Sequence, residues 1–360
     1  MSDETPLVAK VAGSFGAIDC DQWNALFAPD PSLRNPFMSH EFLTALEDSG
    51  SIGPGTGWQA APIIIEGDGG ILHGALPAFL KGHSQGEYVF DHAWADAYTH
   101  AGGEYYPKLQ IAAPFTPATG PRILSSDDKY AVPLLRAAEQ LCSGNGFSSA
   151  HATFIEPGQI DHFRNVGWLM RSDLQYHWQN RDYGSFDDFL DGLASRKRKA
   201  IRKERAGAQQ GLDIIHLTGP EITQAHWDAF WLFYQDTGAR KWGQPYLTRE
   251  AFTLLGERMG DDIVLMLALE EGEPIAGALN FVGGDALYGR YWGCREERKF
   301  LHFELCYYQA IDVAIARGLG RVEAGAQGGH KLSRGYEPTQ TWSAHWIADP
   351  GFRDAVADFL

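Results

Sequence analysis

The fold is decided by residues 263–292, IVLMLALEEGEPIAGALNFVGGDALYGRYW. This stretch holds three apolar runs of strand length, at 263–269, 275–282 and 287–292, each too short for most helices. The segments EGE and GGD separate the runs, and short glycine-containing segments of this kind form hairpin turns. The pattern therefore predicts a three-stranded antiparallel meander.

Further elements surround the meander in a fixed order. A strand is expected at 211–217, and helices are expected at 221–237 and 248–259, the second capped by Thr248. A helix that ends at Gly318 follows the meander, and strands at 322–326 and 341–347 complete the order. The apolar face of that helix consists of Leu301, Leu305, Tyr308, Ile311 and Ile315.

The first half of the chain repeats this order, which indicates an internal duplication. Its expected elements are helices at 19–27, 39–46 and 131–142 and strands at 58–65, 71–80, 88–91 and 150–155. The repeat predicts two domains, residues 1–170 and 171–360. The first carries an insertion at about 93–127 that is rich in aromatic residues and prolines, and a loop this long within a compact domain is usually functional.

Composition and charge exclude several classes of protein. The chain has 360 residues, 44% of them hydrophobic and 21% charged, which is ordinary for a globular protein and unlike a disordered or collagen-like one. The net charge of −16 disfavours a general nucleic-acid coat, because the overall field repels phosphate. The chain shows no signal peptide, no apolar run of about 18 residues and no C-x-x-C spacing among its cysteines. We therefore expect a cytoplasmic protein with reduced thiols and no membrane span.

The order of elements in each half resembles the GNAT acyltransferase fold. Three stretches resemble the double-GNAT, Fem-type aminoacyltransferases, which build peptidoglycan bridges: SRKRKAIRKERAGAQQGL at 195–212, GAL followed by YGRYWG at 277–293, and HKLSRGYEP at 330–338. Over nearly the whole chain, PFMSHEFLTALEDSGS, LHFELCYYQAID and EAGAQGGHKLSRGYEPTQTWSAHW resemble a bacterial group described as predicted N-acyltransferases or peptidoglycan-biosynthesis-like proteins. The C-terminal motif of that group usually ends GEHK, and Gly329 replaces its acidic residue here.

The resemblance implies an α/β (α+β) fold of two tandem GNAT-like units, each a mixed, mostly antiparallel sheet flanked by helices. It also implies that an amine attacks an activated acyl group and forms an amide. Most GNAT enzymes hold the pyrophosphate of acyl-CoA on a glycine-rich turn before the helix that follows the meander. That joint is REERKFL at 295–301 and contains no glycine. We therefore expect weak acetyl-CoA binding, no tightly bound cofactor, and aminoacyl-tRNA as the donor, with acyl-CoA as the alternative.

A basic helix is expected at 189–208. Between residues 195 and 205, seven cations accompany one carboxylate, a net charge of +6 that forms a local anion trap in an acidic protein. The candidate donor-phosphate residues are Arg196, Lys197, Lys199, Arg202 and Lys203. A solvated helix face explains the same pattern, so both interpretations stay open.

Candidate catalytic residues lie on the helix after the meander and on the next strand. In the GNAT arrangement His302 faces the acyl donor, where it can act as a general base that Glu304 orients. The alternative is a surface histidine and a carboxylate that the helix dipole favours. Glu323 points into the sheet, so its carboxylate needs a partner, either a substrate amine or a salt bridge to Arg290 or Arg321.

Candidate substrate-binding residues fall into two groups. In the first group, Lys331 and Arg334, near Tyr336, resemble the Fem-type C-terminal basic motif and suit a phosphate or carboxylate of the acceptor. Arg290 and Tyr291 of the meander and Gln327 complete this group, and His330 is a further catalytic candidate. Those at the start of the insertion, Asp91, Trp94, Asp96 and Tyr98, combine acidic and aromatic groups that suit a cationic amine. Their spacing matches no zinc motif, so no metal site is expected.

The sequence thus predicts an N-acyltransferase with its active cleft in the C-terminal unit. The reaction transfers an acyl or aminoacyl group to a small-molecule or peptide amine. Two alternatives stay open: an acyl-CoA-dependent N-acyltransferase acting on a small-molecule amine, and a degenerate GNAT pair that serves as a binding or regulatory module.

Overall fold

The computed structural model describes residues 8–28, 30, 34–241, 245–325 and 328–360. The chain divides into two compact units. Unit 1 comprises residues 1–173 and 340–360, and unit 2 comprises residues 174–339.

Unit 1 combines short strands with helices. Its strands are β1 (Ala9–Val11), β2 (Trp58–Ala60), β3 (Ile63–Glu66), β4 (Leu72–Leu76), β5 (Ala78–Lys81), β6 (Lys108–Ile111), β7 (Leu124–Ser125) and β8 (Ser149–Thr153). Its helices are α1 (Cys20–Ala25), α2 (His40–Asp48), α3 (His92–His100), α4 (Ala131–Asn145) and α5 (Ile160–Asn165). The chain passes from unit 1 to unit 2 within β9 (Leu169–Gln179).

Unit 2 contains the predicted meander. Its helices are α6 (Phe186–Asp191), α7 (Ser195–Ala208), α8 (Gln224–Lys241), α9 (Arg249–Met259), α10 (Leu301–Phe303) and α11 (Gln309–Ala316). Its strands are β10 (Asp213–Leu217), β11 (Ile263–Glu270), β12 (Glu273–Gly283), β13 (Ala286–Cys294) and β14 (Arg321–Glu323). The chain returns to unit 1 within β15 (Glu337–Ile347), and α12 (Pro350–Phe359) follows.

The strand pairing of unit 2 recurs in unit 1. In unit 2, β10 to β13 are antiparallel neighbours, β14 lies parallel to β13, and β9 pairs antiparallel with β14. In unit 1, β2, β5 and β6 are antiparallel neighbours, β8 lies parallel to β6, and β15 pairs antiparallel with β8. A second sheet of unit 1 has the order β1-β3-β4-β7. The repeated pairing agrees with the duplication predicted from the sequence.

The division of the chain differs from the expected one at its C-terminal end. Residues 340–360, expected in the second domain, belong to unit 1, because β15 pairs with β8 from Ser343 to Ile347. Phe352 and Val356 of α12 pack with Trp94 and Tyr105 of the same unit. The closing strand of unit 1 therefore comes from the far end of the chain.

Two further expectations for the first half are wrong. Residues 88–91 form no strand, because Tyr88 has a left-handed φ of 60° and the side chain of Asp91 turns inward to Lys108. The insertion at 93–127 is no single loop, since it contains most of α3 and the whole of β6, which lies between β5 and β8. Its aromatic residues belong to the packing of these elements.

The core of unit 2 lies between the sheet and the helices that follow the meander. Leu301, Leu305, Tyr308 and Ile311 of the predicted apolar face are buried there, and the helix ends before Gly318, whose φ is 65°. Thr248 caps α9 as predicted, accepting a hydrogen bond from the Ala251 N–H. Helix α8 covers the other face of the sheet, where a Cβ at Gly277 would lie 2.8 Å from the Phe230 ring.

Candidate active site

A cleft opens in unit 2 where two parallel strands part. The pairing of β13 with β14 ends at Tyr288 and Glu323. A bulge at the same level of β13 makes Arg290 the extra residue, because Gly289 lies opposite Asn280 and Tyr291 opposite Leu279. The resulting cleft has a cavity volume of about 110 Å³. The polar and aromatic side chains that line it are Asn280, Arg290, Tyr291, Trp292, His302, Cys306 and Tyr307.

The equivalent position in unit 1 is closed. The segments that follow the parallel strands β6 and β8 remain hydrogen-bonded to each other, because the Gly120 N–H donates to Phe154 O at 3.1 Å. The buried Arg122 guanidinium fills the remaining space and donates to the carbonyls of Thr153 and Ala118 at 2.7 and 2.8 Å. The two duplicated units therefore differ here: unit 2 has an open cleft, and the buried Arg122 side chain occupies the equivalent position in unit 1.

A π-helical turn at Glu304–Tyr308 brings Tyr307 to the cleft. The Tyr307 hydroxyl and His330 Nε2 share a hydrogen bond of 2.9 Å. Burial raises the pKa of the Tyr307 phenol, so it stays protonated at neutral pH. Burial, followed by the charges of Arg334 and Lys331, lowers the pKa of His330 below 6.5, so its imidazole is neutral there. The pair can therefore hold and pass a proton at the edge of the cleft.

His302 lines the cleft as expected, but Glu304 does not orient it. The His302 ring lies 5.2 Å from Trp292 and 5.4 Å from Tyr307. Glu304 is fully buried on another side of the helix, since residues two apart do not share a helix face. Glu304 Oε1 accepts hydrogen bonds from Arg205, Gln209 and Gln309 at 3.1, 2.8 and 2.7 Å. These bonds indicate that Glu304 attaches α7 to the helix.

Glu323 has the salt bridge that was its alternative interpretation. Its Oε1 accepts a hydrogen bond of 2.9 Å from Arg321 Nε, and Arg321 also pairs with Asp285. Glu323 Oε2 lies 3.8 Å from His177 Nε2 and accepts no hydrogen bond from any described residue. The carboxylate is 4% exposed and supports the strand next to the cleft.

The C-terminal motif packs behind the cleft. Lys331 is 1% exposed and donates to Gly325 O at 2.8 Å, which fixes a residue of the cleft wall whose φ is 80°. Burial lowers the pKa of Lys331 to about 8. Arg334 forms an ion pair with Glu204 of α7 at 2.9 Å, and Tyr336 is buried in the core. Lys331 and Arg334 are thus positioning residues, and Tyr336 supports the core.

Three predicted substrate-binding residues remain, Arg290, Tyr291 and Gln327. Arg290 and Tyr291 line the cleft, and the Arg290 guanidinium lies 5.1 Å from the centre of the Tyr291 ring. Gln327 lies outside the described residues.

The predicted basic helix is two helices, α6 and α7, and its cations differ in their contacts. Lys197 donates to Leu332 O at 3.1 Å, and Arg202 pairs with Asp187 at 2.9 Å. Arg196, Lys199 and Lys203 are exposed and form no ion pair or side-chain hydrogen bond within the described parts of the chain. Their spacing of three and four residues places them on one face, which we call the cationic stripe.

The candidates of the insertion belong to the packing of unit 1. Asp91 is buried and accepts hydrogen bonds from Lys108 at 2.5 Å and Tyr105 at 2.6 Å. Burial raises the pKa of the Asp91 carboxyl, but the Lys108 ammonium holds it well below its usual range. The Trp94 ring lies 4.9 Å from His345, and Tyr98 stacks on Phe352 at 4.4 Å. Asp96 is exposed. These residues do not gather into a cage for a cationic amine, because packing and the Lys108 ion pair already engage Asp91, Trp94 and Tyr98.

The described residues offer neither a metal site nor a membrane-spanning helix. Within the described residues, no group of three or more His, Cys, Asp or Glu side chains is arranged to hold a metal ion. None of the helices in those same ranges is long and apolar enough to cross a membrane.

The family follows from a match over nearly the whole chain. The FemAB-like family, described as peptidoglycan biosynthesis/recognition, matches residues 14–360. The chain belongs to the FemAB-like family. No curated protein matches it. Family and fold together support an acyltransferase or aminoacyltransferase.

Several solved structures share the fold of this FemAB-like protein. FemX has 12% sequence identity and a TM-score of 0.57, covering 94% of this chain and 98% of FemX. A conserved protein of unknown function from Bacteroides thetaiotaomicron has 10% identity and a TM-score of 0.57, covering 95% and 100%. L-PGS from Bacillus licheniformis has 10% identity and a TM-score of 0.53, covering 91% and 98%. At these identities the likeness concerns the fold alone.

The sequence did not predict four of the polar and aromatic cleft residues, Asn280, Trp292, Cys306 and Tyr307. Helical spacing cannot place Cys306 and Tyr307, because a π-helical turn changes which side chains share a face. Asn280 had a usable signal, since it is a polar residue in an otherwise apolar strand between Leu279 and Phe281.

Proposed function

We propose that this FemAB-like protein is an N-acyltransferase that forms an amide in the unit 2 cleft, transferring an aminoacyl group from aminoacyl-tRNA to a primary amine. The observation that carries the proposal is the cleft itself. It combines parted parallel strands, a bulge at Arg290, and a proton-holding pair of Tyr307 and His330. The acceptor is a small molecule or a peptide, and the description of the family makes a cell-wall peptide the first to test.

The reaction joins nitrogen to carbon and releases an alcohol. The acceptor amine attacks the carbonyl carbon of the aminoacyl ester, a C–N bond forms, and the C–O bond to the ribose breaks. One amine proton leaves, and the ribose oxygen gains one. Tyr307, protonated at neutral pH, donates its proton to the leaving ribose oxygen. His330, which is neutral, takes up the proton that the amine loses and returns it to Tyr307 through their hydrogen bond.

Two features support aminoacyl-tRNA over acyl-CoA. The joint before α10, residues 295–301, contains no glycine for a pyrophosphate turn. The cationic stripe on α7 offers three exposed charges to phosphate in a protein of net charge −16. Helix α7 is attached to the cleft helix through Arg205 and Glu304.

A donor-exchange assay tests the proposal. The protein is incubated with a lysine-containing peptide and either total tRNA charged with labelled amino acids or labelled acetyl-CoA. We expect label from tRNA to enter the peptide as a base-stable amide, with little label from acetyl-CoA. Transfer from acetyl-CoA alone overturns the donor assignment, and transfer from neither donor to a panel of amines overturns the enzymatic function in favour of a binding module.

A further inference from the structure

Asn280 lies at the base of the cleft, on β12. It is 1% exposed and faces Val264 on one neighbouring strand and Gly289 on the other. Its position is next to the bulge, where β13 parts from β14. The side chain is therefore buried in the protein and still lines the cleft.

The orientation of the Asn280 amide is fixed by its contacts. Nδ2 lies 3.2 Å from Val264 O and 3.2 Å from Ala278 O. Both are carbonyl oxygens, which only accept, so the NH₂ group must face them and Oδ1 must face the other way. Oδ1 lies 3.4 Å from the point where a Cβ at Gly289 would stand. No described residue donates a hydrogen bond to it.

A buried acceptor without a donor is costly to the fold. Asn280 differs from the other such acceptors, Gln110 Oε1 among them, because it lines an open cleft, where a ligand can supply the donor. An amide oxygen recognises an N–H or O–H group. The titratable and charged side chains that line the cleft are Arg290, Tyr291, His302, Cys306 and Tyr307. His330 and Lys331 lie behind its wall, and Glu323 beside it is neutralised by its ion pair with Arg321. Since the permanent charge among them is positive, the cleft favours a neutral amine over an ammonium ion.

We propose that Asn280 Oδ1 accepts a hydrogen bond from the attacking amine of the acceptor, which makes Asn280 a binding residue for the nucleophile. The inference rests on the proposed function and adds to it. The N–H held by Asn280 is the one that the product amide keeps. The second amine proton is lost as the C–N bond forms, and the nitrogen lone pair points to the acyl carbonyl.

Steady-state kinetics with charged total tRNA and the lysine-containing peptide test this assignment. Asn280→Leu keeps much of the volume and removes the acceptor, whereas Asn280→Asp keeps an acceptor and adds a negative charge. The matched control is Gln110→Met in unit 1. Gln110 is also fully buried with an Oε1 that accepts no hydrogen bond from a described residue, but it lies outside the cleft.

Asn280→Leu should raise the KM for the peptide at least about tenfold and leave the KM for charged tRNA unchanged. Asn280→Asp should move the pH optimum for peptide use upward by about one unit, because a carboxylate stabilises the ammonium form. Gln110→Met should change neither value. Asn280→Asp also keeps the test valid if thermal melting shows that the leucine variant does not fold.

Three results would overturn the acceptor assignment, the role of Asn280 or the proposed function, and each can be told from the others. A rise in the KM for tRNA alone shows that Oδ1 binds the α-amine of the aminoacyl group, which overturns the acceptor assignment. Wild-type kinetics in both Asn280 variants overturn the inference and leave the proposed function standing. If the wild-type protein transfers nothing, the proposed function fails, and calorimetric binding of the peptide decides the inference: equal affinity for wild-type protein and Asn280→Leu overturns it.

Discussion

At the scale of single residues, the proton chemistry of the cleft depends on Tyr307. Its neighbour Tyr308 is also buried, but the Tyr308 hydroxyl donates to Glu204 and lies outside the cleft lining. Tyr308 is therefore a matched control for Tyr307, because both phenols are buried and only Tyr307 lines the cleft.

We predict that Tyr307→Phe lowers kcat about 100-fold, in the range typical of a lost general acid, with little change in KM. Tyr308→Phe should keep kcat within a few-fold of wild type. Steady-state rates of amide formation, with circular dichroism to check folding, make the comparison. Equal losses in the two variants would mean that the phenol acts only through packing.

Site residues could be predicted from sequence where the regular spacing of a strand or helix decides which way a side chain points. They could not be predicted where an irregularity of the backbone breaks that spacing. His302 was expected at the cleft from its position in the GNAT arrangement, and Arg290 and Tyr291 were substrate-binding candidates on the last strand of the meander. Asn280 was missed although its polarity marks it in an apolar strand, because the parting of β13 from β14 beside it does not follow from local spacing. Tyr307 was missed because a π-helical turn changes which side chains share a face. Glu304 was misplaced for the same reason, since its contacts go to α7.

At the scale of elements, helix α7 carries the charges that the donor assignment needs. Replacing the cationic stripe (Arg196→Glu, Lys199→Glu and Lys203→Glu) should weaken tRNA binding and leave the fold intact, because solvated cations add little stability. For three phosphate contacts we expect the wild-type slope of log K against log salt to be about −2 to −3, and the variant slope to be close to zero.

The control for the stripe reverses three exposed cations of unit 1, Lys10, Lys129 and Arg164. The change in net charge is the same, so a general electrostatic effect would weaken binding equally. Fluorescence anisotropy of labelled total tRNA across a salt series measures both variants. A flat wild-type slope would show that the stripe is a solvated helix face.

The pairing of β8 with β15 contains a pH-sensitive contact. His151 Nδ1 and His345 Nδ1 lie 2.8 Å apart, and both rings are buried. Burial lowers the pKa of His345 to about 3, and it lowers the pKa of His151 well below 6.5. Both are neutral in the fold at pH 7, whereas an unfolded histidine gains a proton near pH 6.5.

Stability should therefore fall as the pH drops below 6.5, because the unfolded state then binds more protons than the folded state. Each histidine contributes a loss of about 2 kcal/mol between pH 6.5 and pH 5. His345→Gln should remove about that much of the pH dependence of unit 1, measured by urea unfolding at pH 7 and pH 5. An unchanged pH dependence in the variant would contradict this account.

At the scale of the whole chain, the duplication has produced two units that differ at one decisive point. The order of elements from residue 211 to residue 347 could be predicted from apolar periodicity and glycine turns, whereas α3 and β6 of the first half could not. The closing of unit 1 by β15 could not be predicted either, because β15 pairs with β8 across a long sequence separation that no local pattern encodes. The filling of the unit 1 position by Arg122 depends on the same kind of distant contact.

The central claim is that amide formation takes place in the unit 2 cleft, and Gly289→Leu tests it most directly. A Cβ at Gly289 meets only ordinary contacts at 3.4 Å and beyond, so the strand tolerates it while the larger side chain fills the cleft. The rate of amide formation should fall at least about 100-fold with an unchanged melting temperature, whereas Gly144→Leu, at an open position of unit 1, should keep the wild-type rate. A folded Gly289→Leu protein that forms the amide at the wild-type rate would contradict the account.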